Sequence, residues 1–309
     1  MKQHAPLRIG TRDSELATWQ ATEVKNHLAA SGIESTLVFI KSDGDLDLKT
    51  PLYAMGVQGI FTRALDIALL NDTIDIAVHS MKDVPVQLAA GIHEAAVLKR
   101  ASYKDILVYK NGKTFLENHS SAATIATSSL RRQAQWLHRF PHHTIEVLRG
   151  NINTRLEKVK NENWGGALFA AAGLDRLKKR PVNCMQLDWM LPAPAQGAIL
   201  VVCRNGDSYA RTSCVHMNDA ITAACVKIER DFLKALMGGC SAPISALALE
   251  DNGNIHFKGN IFSPDGKDFL EVEKTVDIKN GETLGEDAAA TIIAKGGLSL
   301  LNTIKNAGK

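Results

Sequence analysis

Short apolar runs alternate with amphipathic stretches along most of the chain, and their order predicts its elements. Leu7 to Ile9 is one such run, leading through Thr11 and Arg12 into a helix predicted from Ser14 to Ala29 with Ser14 as its N-cap. Ser35 to Ile40 reads as a strand, Ile60 to Leu70 as a helix, Asp75 to His79 as a compact strand and Ala95 to Lys99 as another. Between them Ser42 to Gly59 is rich in Gly and Asp without a sustained period, the mark of a ligand-contacting or mobile loop. This alternation predicts an α/β domain with a mostly parallel sheet.

The pattern restarts at Asp105. Strands are predicted at Ile106 to Tyr109, Ala123 to Thr127, Thr144 to Leu148 and Ala167 to Ala170, with helices at Ser129 to Phe140, Asn151 to Lys160 and Ala172 to Lys178. Pro192, Pro194 and Gly197 break the chain before a valine-rich strand, Ile199 to Cys203, read as returning to the first sheet. An amphipathic helix follows from Asn218 to Leu236, with Ile221, Cys225, Ile228 and Phe232 at helical spacing. Strands at Ile244 to Leu249, Asn254 to Phe262 and Phe269 to Val276 and a closing helix from Leu284 to Lys295 complete a small antiparallel sheet with helices. The expected domains are 1–100 with 198–217, 104–194, and 218–309, and the double crossover predicts a cleft.

At 309 residues the chain exceeds what one core usually organises. Its 45% hydrophobic and 22% charged fractions are those of a globular protein. A net charge of +3 without a single-sign block gives no polyanion-binding tail, and 6% aromatics argue against a stacking surface for nucleic acid. No leader-like or membrane-spanning stretch is evident, so a cytoplasmic protein is expected. The five cysteines lack a CxxC pair, which predicts free thiols rather than a disulfide scaffold or structural zinc.

Arginine placement is the most informative chemical signal. Arg131 and Arg132 follow Thr127, Ser128 and Ser129 where a strand gives way to a helix; Arg149 lies past the next strand, Arg155 one turn into the next helix, and Arg176 on the third. Arg12 and Lys82 stand at equivalent strand ends of the first domain. Such forks bind carboxylates or phosphates, and helix N–H groups at the same edge assist them. In DIAVHSMKDVP, Asp75 to Pro85, Asp83 is either a structural capping aspartate or an acid able to stabilise a developing cation and shuttle a proton. Cys225 reads as core packing. Cys240 follows two glycines in LMGGCSAP and is read as a nucleophile, a covalent attachment point or an inert thiol.

The segments AVHSMKDVP, TSSLRRQAQ, LRGNINTRL, PAPAQGAI and GGCSAPI together resemble the porphobilinogen deaminase (hydroxymethylbilane synthase) family over nearly the whole chain. The resemblance implies two periplasmic-binding-protein-like (type II) α/β domains with a crossover between them, plus a small α+β C-terminal domain with an antiparallel sheet. It implies stepwise condensation of four porphobilinogens with loss of ammonia, and hydrolytic release of hydroxymethylbilane. It also implies a dipyrromethane cofactor joined by a thioether to Cys240. Asp83 takes the catalytic role; Lys82, Ser80, Ser129, Arg131 and Arg132 join Asp83 as cofactor contacts; Arg12, Ser14, Arg149, Arg155, Arg176 and Gln196 are substrate contacts; and a monomer needing no metal, nucleic acid or membrane is expected. Departures occur in VQGIFTRALDIA, where Gln58 and Ala64 replace an expected lysine and glutamate while Arg63 keeps a positive charge, and at Lys104, which replaces an arginine. Gln58 and Arg63 are the expected loop contacts. A binding module and a thiol-dependent transferase of another polycarboxylate are the rival readings.

Overall fold

The computed structural model describes residues 5–41, 62–117, 120–236 and 242–307. In chain order its main elements are β1 (Leu7–Thr11), α1 (Glu15–Ala30), β2 (Ser35–Phe39), α2 (Arg63–Leu70), β3 (Ile76–Ser80), β4 (Ile92–Val97), β5 (Asp105–Tyr109), β6 (Thr124–Ala126), α3 (Leu130–Arg139), β7 (Thr144–Glu146), α4 (Ile152–Asn161), β8 (Gly166–Ala170), α5 (Ala171–Arg176) and β9 (Cys184–Gln186). Then follow β10 (Ile199–Arg204), α6 (Ser208–Cys214), α7 (Ala220–Ala235), β11 (Ile244–Asp251), β12 (Asn254–Phe262), β13 (Phe269–Asp277), α8 (Leu284–Ile292) and α9 (Leu298–Ala307). The described residues divide into two compact units, one drawn from Met1–Asp47, Val57–Ala101 and Gly197–Ala223, the other from Ser102–Gln196 and Ala224–Lys309.

The first unit holds a five-stranded sheet of order β2-β1-β3-β10-β4. β1 pairs parallel with β2 and β3, and β10 runs antiparallel to both β3 and β4, so four of the five strands share one direction. The second unit repeats the scheme in the order β7-β6-β8-β5-β9, with β5 as the reversed strand. β5 is the first strand after the chain leaves the first unit, and β10 the first after it returns. The mostly parallel sheets and the return of Ile199 to Cys203 to the first sheet agree with the sequence reading.

The reversed strands also fix where the carboxyl edge of each sheet lies. Ile199, first residue of β10, pairs with Ser80, last residue of β3; Asp105, first residue of β5, pairs with Ala170, last residue of β8. One residue upstream, the Ala198 carbonyl accepts from Met81 N at 3.1 Å and the Lys104 carbonyl from Ala171 N at 3.0 Å. In both sheets the crossover thus pins the backbone leaving the third parallel strand, where ligand-contacting residues of such folds are carried.

Burial explains the apolar runs. Ile106 and Val108 of β5 with Ala167 and Phe169 of β8 pack on one face of the second sheet, while Leu107, Leu168 and Ile125 pack with Trp136 and Phe140 on the other. Strands covered on both faces read as continuous hydrophobic sequence. In the first unit, Val24 and Leu28 of α1 and Cys214 of α6 join Ile9, Ile76 and Val201 in one core. At its amino edge the Asp75 carboxylate accepts from Arg8 Nη2 at 2.7 Å and from Arg204 Nη2 at 3.2 Å.

The second unit also contains the antiparallel sheet β11-β12-β13. Cys225, Ile228 and Phe232 of α7 are buried as their spacing predicts, but Ile221 is half exposed in the first turn. The helix is capped one residue later than Asn218: Asp219 accepts from Thr222 N at 2.7 Å, which holds its carboxyl below the usual range. The closing helix is α-helical to Ile292 and continues as a π turn from Ile293, and Gly296 at φ +98° breaks it just past Lys295, where the sequence places its end. β9, α6 and α9 were not expected.

Gly285 sets the approach of α8 to α7: a Cβ there would stand 2.2 Å from the Ile228 carbonyl oxygen and 2.9 Å from Phe232 N. These are main-chain atoms and cannot swing aside. Gly285→Ala is expected to lower unfolding free energy by about 1–3 kcal/mol, read as a lower urea midpoint with an unchanged slope; an unchanged midpoint would show that the helices have room to separate.

Candidate active site

In the first unit, the site residues follow the carboxyl ends of β1 and β3. Arg12 comes directly after β1, half-buried. Ser14 accepts from Ala17 N at 3.4 Å and so caps α1, the N-cap role its sequence position predicts. Ser80 ends β3, and its hydroxyl lies 2.9 Å from Nε2 of Gln20, a side chain only 2% exposed. Beyond it Met81–Asp83 forms a single 3₁₀ turn, closed by Val84 N donating to the Met81 carbonyl at 3.1 Å. Met81 is buried and anchors the turn; Lys82 is half-buried and Asp83 is exposed. Apolar contact by one residue therefore decides the presentation of the next two.

His79, the fourth residue of β3, is buried. Burial, and after it the nearby Arg12 charge, push its imidazole down to about 4. A neutral histidine serves packing at neutral pH.

In the second unit, β6 runs into Thr127, which is 2% exposed, and Ser129 N donates to its hydroxyl at 3.2 Å. Ser129 caps α3 by accepting from Arg132 N at 3.4 Å, and Ser128 donates to the Leu148 carbonyl at 2.8 Å, tying the ends of β6 and β7 together. Past β7, Arg149 is 5% exposed, and Gly150 adopts φ +110°, a left-handed conformation that favours glycine. Asn151 caps α4 by accepting from Thr154 N at 3.0 Å, while Arg155 Nε donates to the Gly150 carbonyl at 2.7 Å. Arg176 ends α5, half-buried.

Three predicted site residues converge on an acid that sequence reasoning passed over. Asp105 has no solvent exposure; its Oδ1 accepts from Arg132 Nε at 3.0 Å, Arg132 Nη2 at 2.7 Å and Gln196 Nε2 at 3.0 Å, and its Oδ2 lies 2.8 Å from Arg131 Nη2. Gln196 is itself fully buried. A second overlooked acid, Glu229, is also without exposure and accepts from Ala195 N at 2.6 Å and Ala248 N at 2.8 Å. It supports Ala195 at φ +61°, an uncommon value for a residue with a Cβ. One signal was available for Glu229: a carboxylate four residues after Cys225 on the apolar face of α7. Gln20 offered no such signal.

Lys104 pairs with Asp188 at 2.8 Å and holds that carboxyl below its usual range. Arg63 is exposed at the start of α2, and Gln58 lies outside the described residues. Cys203, Cys214 and Cys225 are buried and Cys184 is half-buried. Burial pushes Cys214 up to about 12 and raises Cys203 as well, so neither supplies a thiolate near neutral pH. Cys240 lies outside the described residues. No described helix is long and apolar enough to cross a membrane.

The His79 value has a consequence for stability. Its folded value lies below that of an unfolded histidine, so protons bind the unfolded chain more readily and the contribution of neutral His79 is lost as pH falls from 6.5 toward 4. The full loss is on the order of 3 kcal/mol. Urea unfolding followed across this range is expected to show a shallower pH dependence in His79→Asn than in the parent; identical slopes would mean that His79 does not titrate with unfolding.

Two family models match the chain: "Porphobilinogen deaminase, dipyromethane cofactor binding domain" over residues 7–212 and "Porphobilinogen deaminase, C-terminal domain" over residues 223–294. The porphobilinogen deaminase of Syntrophotalea carbinolica is 40% identical over 294 residues, covering 94% of this chain and 93% of the relative. That of Acidithiobacillus ferrooxidans is 36% identical over 307 residues, covering 97% and 99%. Among solved structures, the GluR0 ligand binding core in complex with L-glutamate gives a TM-score of 0.38 at 11% identity, covering 70% of this chain and 91% of that one. The L-cystine solute receptor of Neisseria gonorrhoeae gives 0.38 at 13% identity, covering 74% and 87%; likenesses this slight carry no argument about ligands. On its matched segments and its near-complete alignment with these relatives, the chain belongs to the porphobilinogen deaminase family, transferases also called hydroxymethylbilane synthases, and carries their dipyrromethane cofactor binding domain.

Proposed function

We propose that this chain condenses four porphobilinogens head to tail on a primer attached to Cys240, with Asp83 moving the proton at the reacting ring. The observation that carries the assignment to Asp83 is its presentation. The buried Met81 fixes the turn after β3, Asp83 is exposed at its end, and Arg12, Ser80 and Lys82 belong to the same sheet edge.

The donor set fits a group rich in acetate and propionate. Half-buried Arg12, Lys82, Arg155 and Arg176 and the buried Arg149 follow the carboxyl ends of parallel strands, with capped helix N-termini beside them. When bound, the dipyrromethane supplies a nucleophilic ring carbon to which substrate is joined. Ser80, Lys82, Ser129, Arg131 and Arg132 are assigned to holding it, and Arg12, Ser14, Arg149, Arg155, Arg176 and Gln196 to substrate. For Ser14, Ser129 and Gln196 this contact is in addition to the bonds they already make within the protein.

Asp83 donates its proton to the leaving amine while the C–N bond breaks. Ammonia departs with the bonding electron pair, and the carboxylate stands against the positive charge left on the pyrrole. The proton released from the ring carbon when the new C–C bond forms returns to Asp83, which readies it for the next unit. We read residues 218–309 as the cofactor-bearing domain and the enzyme as a cytoplasmic monomer; its modest net charge of +3 fits a small-molecule substrate better than a polyanion.

Asp83→Asn is expected to retain the parent urea midpoint while kcat for porphobilinogen consumption falls by about 10²–10⁴-fold. Cys240→Ala is expected to form no stable covalent primer and to release no hydroxymethylbilane. Full turnover by either purified variant overturns the role given to that residue.

A further inference from the structure

We infer that Asp105 is a positioning residue for the anion-binding end of α3. This rests on the reading of Arg131 and Arg132 as cofactor contacts. Both arginines are at most 7% exposed and sit side by side in the chain, so their like charges must be reconciled inside the protein. Asp105 is the reconciling charge: it takes two donors from Arg132 and ion-pairs with Arg131. One further nitrogen of each is anchored on main chain, Arg132 Nη1 to the Leu168 carbonyl at 3.1 Å and Arg131 Nη1 to the Leu191 carbonyl at 2.7 Å.

The location gives the cluster its function. Asp105 is the first residue of the crossover strand and pairs with the last residue of β8, so its carboxylate stands at the carboxyl edge of the parallel strands. Arg131 and Arg132 lie in the first turn of α3, the turn capped by Ser129. Gln196, on the segment just before the chain leaves this unit, donates to the same oxygen as Arg132. One carboxylate therefore holds together the start of α3, the end of β8 and the segment carrying Gln196. Burial pushes the Arg131 guanidinium down and Asp105 opposes that push, whereas Arg132 adds to it. Two cations and one anion leave a net charge of +1, so the pair offers an anionic ligand one positive charge rather than two.

The test uses the full-length chain as purified, comparing Asp105→Asn, Arg132→Gln and the double variant Asp105→Asn/Arg132→Gln, which removes one charge of each sign and keeps the buried net charge at +1. Three quantities are read: the urea midpoint, the fraction of chains carrying covalent primer by intact mass, and kcat/KM for porphobilinogen. Asp105→Asn is expected to lower the midpoint. The double variant is expected to recover most of that loss, while its primer-loaded fraction and kcat/KM fall about tenfold or more below those of Arg132→Gln, in which Asp105 still holds Arg131. Loading and kcat/KM in the double variant equal to those of Arg132→Gln would overturn the inference and leave Asp105 a charge-balancing residue only. Unchanged loading and kcat/KM in a folded Asp105→Asn would overturn it too; should that variant not fold, the double variant decides alone. Failure of the parent itself to carry primer or turn over would instead defeat the cofactor reading, a result separable from any outcome among the variants.

Discussion

A buried carboxylate between two buried guanidiniums is the constraint on which the second unit of this protein turns. Two adjacent arginines out of water repel each other and lack their hydration, and a partner of opposite charge is the cheapest remedy a folded chain has. Asp105 supplies it from the first position of the reversed strand, at the edge where β6, β7 and β8 end. The strand order, the start of α3 and the backbone before β10 are coupled through that one side chain. The first unit solves the equivalent problem with apolar contact: Met81 is sunk in the core and the crossover carbonyl of Ala198 holds its N–H.

The two solutions suit different tasks. In the second unit the polar groups nearest the sheet edge are interlocked, which favours fixed binding of carboxylates. In the first, the turn after β3 leaves Asp83 exposed and Lys82 half-buried, which favours a group that must meet successive substrates. A reaction that repeats one bond-forming step needs both: constant grip on a lengthening polyanion, and one acid that is reset after each addition.

Much of the fold was legible because its strands are covered on both faces and its helices carry apolar faces at helical spacing. The missed elements lacked those signals. β9 is a three-residue edge strand, α6 is a seven-residue helix with serine, threonine and arginine among its residues, and α9 follows a glycine in a left-handed conformation that ends the preceding helix. Ile221 shows the limit of periodicity, since a helix's first turn can project beyond the surface that buries the rest. At the site, strand-end arginines and SMKDVP were readable from position. Their partners were not: Asp105 in sequence is merely an acid ahead of an apolar run, and only the antiparallel register with β8 brings it to Arg131, Arg132 and Gln196. Donor residues advertise themselves by charge and spacing, whereas the acid that positions them is found through topology.

The central claim is that one particular thiol carries the primer, and trypsin offers a direct reading of it. Cleavage after Lys234 and Lys258 isolates Ala235–Lys258, a peptide whose single cysteine is Cys240. Mass analysis of a digest of the purified, denatured chain is predicted to find this peptide heavier by two condensed pyrrole units and the peptides of Cys184, Cys203, Cys214 and Cys225 unmodified. An unmodified Ala235–Lys258 from a preparation that turns over porphobilinogen would contradict the account.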